Sequence, residues 1–222
     1  MPRSFSLPLQ AMVDRVARAD CGDSIDVTAA ISVAADVILS DAIVVRHPLG
    51  FLHAEVTDLV HLPEDCDRVR IHYFSRDYRA HASSPSTVHS HRWHLKSCVL
   101  LGRLRNNTYD FEPRRDGAMQ LGSLKYQEAG LEQIQAAGTT GELRPRPAQI
   151  VRSGEVYCQP PEILHLTEVE SELAVTLLLT RTMTEDASVV LARGASTGAP
   201  SGREMASRQE CTAFAAMLAD HG

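Results

Sequence analysis

Ten histidines occur among the 222 residues, and three of them fall within HSHRWH, residues 89 to 94. His89 and His91 stand two apart in a run that reads as a strand, and side chains two apart on a strand share a face. Two imidazoles on one face, joined by a third from another strand, offer nitrogen ligands to a first-row divalent metal and leave positions free for substrate or oxygen. An HxH pair by itself is more often a pair of hydrogen-bonded core or surface residues. The flanking sequence must therefore carry the argument.

The passage Ser83 to Gly102, SSPSTVHSHRWHLKSCVLLG, resembles the first motif of the cupin family: a glycine, five residues, HxH, three or four residues, a glutamate, six residues and a glycine. His89, His91 and Gly102 stand at the family's spacing. GEVYCQPPEILH resembles the second cupin motif through Gly154, Pro160 and His165. The resemblance spans residues 65 to 182 or so. It implies a mainly β fold, the double-stranded β-helix (jelly-roll) barrel, with His89, His91 and His165 binding one divalent metal near the open end. Four family positions differ: the glutamate falls on Leu95, the first glycine on Ser83, and the second motif's glycine and asparagine on Glu162 and Val169. Leu95 has no ligand atom, so a three-histidine site is expected, with Glu162 or His94 as candidates for a fourth ligand. Alternation puts His94 on the face opposite His89 and His91, where a surface or subunit-contact role is the ordinary reading.

A neutral three-histidine set leaves a bound ferrous ion its full charge and up to three open positions, enough for a bidentate substrate and dioxygen. This arrangement resembles the thiol dioxygenases among the cupins, which also lack the motif glutamate, and HSHRWHLKSCVLLGRL is similar to the metal strand of cysteine dioxygenases. The likeness is local, because LLLTRT supplies no aromatic partner for the cysteine–tyrosine crosslink of some members. The expectation is an Fe(II) dioxygenase acting on a small organic substrate, with Zn, Ni or Mn as other ions the imidazoles would accept. The alternatives are a non-redox isomerase or lyase and a non-catalytic, small-molecule-binding cupin.

Around the metal, Arg76 is a candidate clamp for a substrate carboxylate, and Tyr157 and Glu162 are candidate proton relays. Tyr73 and Gln159 are further candidates for the barrel mouth. Each has an ordinary reading as well, a surface ion pair for the arginine and a core position for a tyrosine. Trp93, the only tryptophan, is in phase with His91 and Leu95 and reads as core packing, with an apolar pocket wall as the alternative. Cys98 and Cys158 read as small buried hydrophobes.

These residues need elements to position them. Leu9, Met12, Val13 and Val16 recur at helical spacing, as do Val27, Ile31, Ala34 and Ile38, and both stripes predict amphipathic helices packed on a sheet or a neighbouring subunit. From Phe51 the pattern changes to short strand-like runs: 51–57, 68–74, 87–94, 97–104, 107–112, 149–151, 156–159 and 172–180. Residues 114–147 interrupt the series with five glycines, reading as an insertion with a short helix expected near Leu131 to Ala137. The glycine- and serine-rich 194–202 is a linker to a last helix with the stripe Cys211, Phe214, Ala215 and Leu218. The expected organisation is therefore a helical extension over 1–50, a barrel over 51–193, and a linker with helix over 194–222.

The net charge of −6 discourages nucleic-acid and anionic-membrane surfaces and favours a small-molecule partner. Five scattered cysteines without a CxxC pair indicate neither a disulfide framework nor a zinc–thiolate site, and suggest the reducing cytoplasm. No apolar stretch approaches the ~20 residues of a membrane span. A homodimer paired through sheet edges is expected, because an exposed edge needs covering.

Overall fold

The computed structural model describes residues 7–40, 42–76, 78–81, 88–126, 132–195 and 203–221. Its elements in chain order are α1 (Leu7–Arg18), α2 (Ala30–Leu39), β1 (Ile43–His47), β2 (Phe51–Glu55), β3 (Arg68–Ser75), β4 (Trp93–Leu101), β5 (Arg103–Pro113), β6 (Met119–Tyr126), β7 (Glu132–Pro145), β8 (Gln149–Arg152), β9 (Val156–Gln159), β10 (Leu164–Val169), β11 (Leu173–Thr182), β12 (Ala187–Ala192) and α3 (Arg208–Ala219). The fold is mainly β, as expected, but the strands form two antiparallel sheets and not a closed barrel. The first runs β1-β2-β3-β11-β4-β9, and the second runs β10-β5-β7-β6-β12 with β8 also paired to β5.

Both faces of the first sheet are covered, which explains the unbroken apolar run of β11. Leu173, Val175, Leu177 and Leu179 join a core with all three helices, whereas Ala174 and Leu178 join a second core with Leu95, Val99, Leu104 and Tyr157 on the other face. The helices dock by the stripes read from the sequence: Leu9, Met12, Val13 and Val16 from α1, and Cys211, Phe214, Ala215 and Leu218 from α3. Lys96 Nζ donates to the carbonyls of Ala17 (3.0 Å) and Ala19 (2.8 Å), closing the C-terminal end of α1. Val27 precedes α2 instead of joining its stripe, because Asp26 Oδ1 accepts from the Thr28 N–H (2.9 Å) and hydroxyl (2.6 Å) and holds a turn there.

Three expectations are corrected. The helix near Leu131 to Ala137 is strand β7 from Glu132 onward, its backbone groups paired to β6 from Tyr126↔Glu132 to Met119↔Gly141. Leu131 lies outside the described residues, as do Ser83 and most of the 194–202 linker. Cys158 is not a free buried hydrophobe but is disulfide-bonded to Cys21. Residues 22–25 run along β9, with Gly22 N–H donating to the Val156 carbonyl (2.8 Å) and Ile25 N–H to that of Gly154 (2.9 Å). This brings the two cysteine Cα atoms to 5.6 Å across a sequence separation of 137, which spacing alone could not reveal. Because disulfides persist in oxidising surroundings, the cysteines no longer support a reducing compartment. No helix among the described residues is long and apolar enough to cross a membrane.

The same pairing covers the β9 edge of the first sheet. The β1 edge is covered by residues 204–206, with Arg46 N–H donating to the Glu204 carbonyl (2.8 Å) and Ala206 N–H to that of Val44 (2.9 Å). Glu210 secures this segment and α3 together: it accepts from Arg46 Nε (2.7 Å) and Nη2 (2.6 Å) and from the Tyr78 hydroxyl (2.6 Å).

Candidate metal centre

Glycine at two turns sets up the site. Gly102, joining β4 to β5, has φ +81°, and a Cβ there would collide with the Leu173 carbonyl. Gly154, ahead of β9, has φ +87°, and a Cβ there would crowd the Ile25 carbonyl. These are the two matched motif glycines, and only glycine takes such a conformation without strain.

Residues 88–90 form a link between the edge strands β10 and β12. His89 and His165 exchange backbone hydrogen bonds (3.1 and 2.8 Å), Ser90 N–H donates to the Ser188 carbonyl (2.7 Å), and Val190 N–H donates to that of Val88 (3.0 Å). His89 therefore sits directly beside His165 although they are 76 positions apart in the chain. His91 follows on the same side, its carbonyl accepting from the Glu162 N–H at 3.1 Å. The three imidazoles converge, with one ligand nitrogen from each lying within 4.8 Å of the others. Ring centroids are 4.9 Å apart for His89–His91, 4.8 Å for His89–His165 and 4.9 Å for His91–His165.

Two of the donor atoms already stand at the spacing a shared divalent ion requires. His91 Nε2 and His165 Nε2 are 3.0 Å apart, and an ion bonded to two nitrogens at about 2.1 Å spans nitrogen separations of roughly 3.0–3.4 Å. His165 is oriented from behind. Its Nδ1 lies 2.9 Å from Asn106 Oδ1, Asn106 Nδ2 donates to Gln159 Oε1 at 2.9 Å, and Gln159 Nε2 donates to the Ile163 carbonyl at 3.3 Å. Because the Asn106 amide nitrogen is committed to Gln159, its oxygen must accept from His165 Nδ1–H. That tautomer turns the Nε2 lone pair toward the other histidines. His91 is steadied by Trp93, whose ring stacks on it at 5.0 Å and 17°. Burial, together with the neighbouring imidazoles, pushes the pKa values of His91 and His165 well below the usual histidine range. Both therefore present neutral rings near pH 7, the form that binds metal.

The triad opens into a cavity of about 920 Å³, counting the space open to solvent at its mouth. Tyr157 lines it, its phenol held protonated by burial, and so does Trp93, the pocket-wall alternative. The other sequence candidates lie elsewhere. Tyr73 is fully buried on the helix-facing side of β3, its hydroxyl donating to the Ala34 carbonyl at 2.8 Å. Arg76, past the end of β3, donates from Nη2 to the Glu170 carbonyl at 2.9 Å and does not line the cavity. The side chain of Glu162 is exposed and that of His94, next to Trp93 on β4, is half-buried, and both lie outside the histidine group. Cys98 is buried on the helix side, its thiol pushed up to about 12 by burial.

Asn106 was not singled out from the sequence, nor was the polar group farther along the cavity. There His53 faces His72 and Glu55 faces Arg70 across β2 and β3. The only signal was their in-phase alternation in FLHAE and RVRIHYF, which reads equally as ordinary strand. Compared with models of known protein families and with curated proteins, the chain matches none.

Proposed function

We propose that the chain is a mononuclear metal-dependent enzyme of the cupin type, an Fe(II) dioxygenase acting on a small organic substrate. The observation that carries this reading is the convergence of His89, His91 and His165, without a carboxylate, at the wall of a cavity. The cupin assignment draws support from two facing antiparallel sheets and from left-handed glycines at both motif positions. When bound, Fe(II) would supply open coordination positions and one-electron chemistry. The protein's own part is to fix the His165 tautomer through Asn106, to hold His91 against Trp93, and to offer the Tyr157 hydroxyl as a hydrogen-bond or proton donor to a substrate atom. That buried, protonated phenol also favours a second reading, a non-redox isomerase or lyase in which the ion acts as a Lewis acid and Tyr157 moves the proton.

Loading the metal-free protein with iron, zinc, nickel or manganese and following oxygen uptake with small thiols, phenols and carboxylates separates the two. Iron-dependent oxygen consumption is expected, together with loss of metal content in His89→Ala and His165→Ala proteins that remain folded. Full turnover with zinc in the absence of oxygen would eliminate the dioxygenase, and unchanged metal stoichiometry in both variants would eliminate the site. A homodimer belongs to the same reading, and a sedimentation measurement returning only monomer would remove it.

A further inference from the structure

The cavity continues past the triad to a wall of unusual charge. Arg70 is only 5% exposed. Its Nε donates to Glu55 Oε2 at 3.3 Å, and its guanidinium carbon lies 4.9 Å from the centre of the Trp93 ring, the ring on which His91 stacks. Neither Nη atom makes a hydrogen bond among the described residues. Two more arginines line the same space: Arg79, whose Nη1 donates to the Thr167 carbonyl at 3.0 Å, and Arg203, whose Nη1 lies 2.8 Å from His53 Nδ1. No aspartate or glutamate lines the cavity among the described residues, in a chain whose net charge is −6. Burying a guanidinium is costly unless its donors are matched. Arg70 has its Nε matched by Glu55 and its guanidinium over the Trp93 ring, while its Nη atoms have no hydrogen-bond partner among the described residues. Beside the histidines, the cavity has an apolar part made by Phe74, Trp93 and Leu178.

We propose that this wall binds the carboxylate of an organic monoacid, Arg70 meeting it through its Nη atoms while Phe74, Trp93 and Leu178 enclose the apolar body. The planar fork of arginine matches a carboxylate in two parallel hydrogen bonds, and lysine does not. The acid would then be held in the space that the triad faces. This deepens the metal-enzyme reading and rests on it for the reaction, but the binding itself needs no ion.

Calorimetric titration of the metal-free protein with benzoate and hexanoate, each against its primary amide, tests the wall. At least one acid is expected to bind tenfold or more tightly than its amide, and Arg70→Gln to remove tenfold or more of that affinity, with only partial recovery in Arg70→Lys. Since Arg70→Gln leaves Glu55 without its cation, the balanced double variant Arg70→Gln/Glu55→Gln must show the same loss. Arg181→Gln, at an exposed residue paired with Asp65, serves as the control for bulk charge and should leave binding unchanged. Equal affinity for acid and amide, no saturable binding of either acid, or wild-type binding by the double variant would overturn the proposal. Acid binding that survives in His165→Ala while metal is lost keeps the wall and the metal site separable. Failure of iron chemistry then counts against the enzyme reading alone, and failure of acid binding against the wall alone.

Discussion

Along β3, Val69, Ile71 and Tyr73 point toward the helices, and Arg70, His72 and Phe74 point into the cavity. The first three are fully buried and belong to the apolar core shared with the helices. The second three include a guanidinium and an imidazole whose burial costs free energy and which depend on cross-strand partners for compensation. One strand thus carries two kinds of surface, and the apolar one gives the polar one a rigid backing. The difference teaches where stability and chemistry reside: the helix-facing side holds the sheet together, and the cavity-facing side can be altered without unmaking it.

That division can be broken by experiment. Leu177→Ala, on the helix-facing side, should cost about 2–5 kcal/mol in denaturant unfolding while folded protein keeps its metal affinity. If affinity fell in proportion to stability, the two faces would not be separable. Acid should act on the other face. Burial depresses the His53 pKa to about 4, against the opposing pull of Glu55, and holds His72 well below the usual range. The unfolded chain then takes up protons first, near pH 6.5. Stability from these neutral rings is complete above that pH and declines as the pH falls toward 4, by roughly 1.4 kcal/mol per pH unit for each histidine. His53→Gln should flatten the decline by one such contribution in the metal-free protein, and an unaltered slope would show that this ring does not titrate on unfolding. Closer to the triad, Asn106→Leu removes the acceptor that fixes the His165 tautomer and should weaken zinc binding about 10- to 100-fold, as read by competition with a chelating dye. An undiminished affinity would mean that the tautomer is set elsewhere. The smallest effect is expected at Glu162, a non-glycine residue at φ +68° where the family motif has glycine. Glu162→Gly should stabilise by about 1 kcal/mol or less without touching metal affinity, and a lower melting temperature would argue that the glutamate side chain compensates for its backbone.

The parts of the molecule legible in the sequence were those with local periodicity or fixed spacing. The α1 and α3 stripes, β3, β9 and β11 follow from alternation or helical recurrence, and His89, His91 and His165 follow from two spaced motifs. What escaped has a common cause, since it depends on partners distant in the chain. The strand β10, which carries His165, is a short mixed segment, LHLTEV, whose strand character comes from pairing with β5. Asn106 gains its role only because β5 sets it beside His165 and Gln159. Arg76 and Arg70 are indistinguishable as sequence, both being arginines in or beside a strand. Only the sheet shows that one ends on a surface carbonyl and the other enters the cavity. Tyr73 was misjudged for the same reason, because a period of two identifies alternate faces without saying which face meets the helices.

The disulfide between Cys21 and Cys158 makes most of the chain a covalent ring, with His89 and His91 on its circumference and His165 on the tail that leaves it. A protease that cuts once anywhere between the two cysteines opens the ring without releasing a fragment. Such a nicked molecule runs as one species on a gel until reductant is added, and it keeps all three histidines on a single covalent framework.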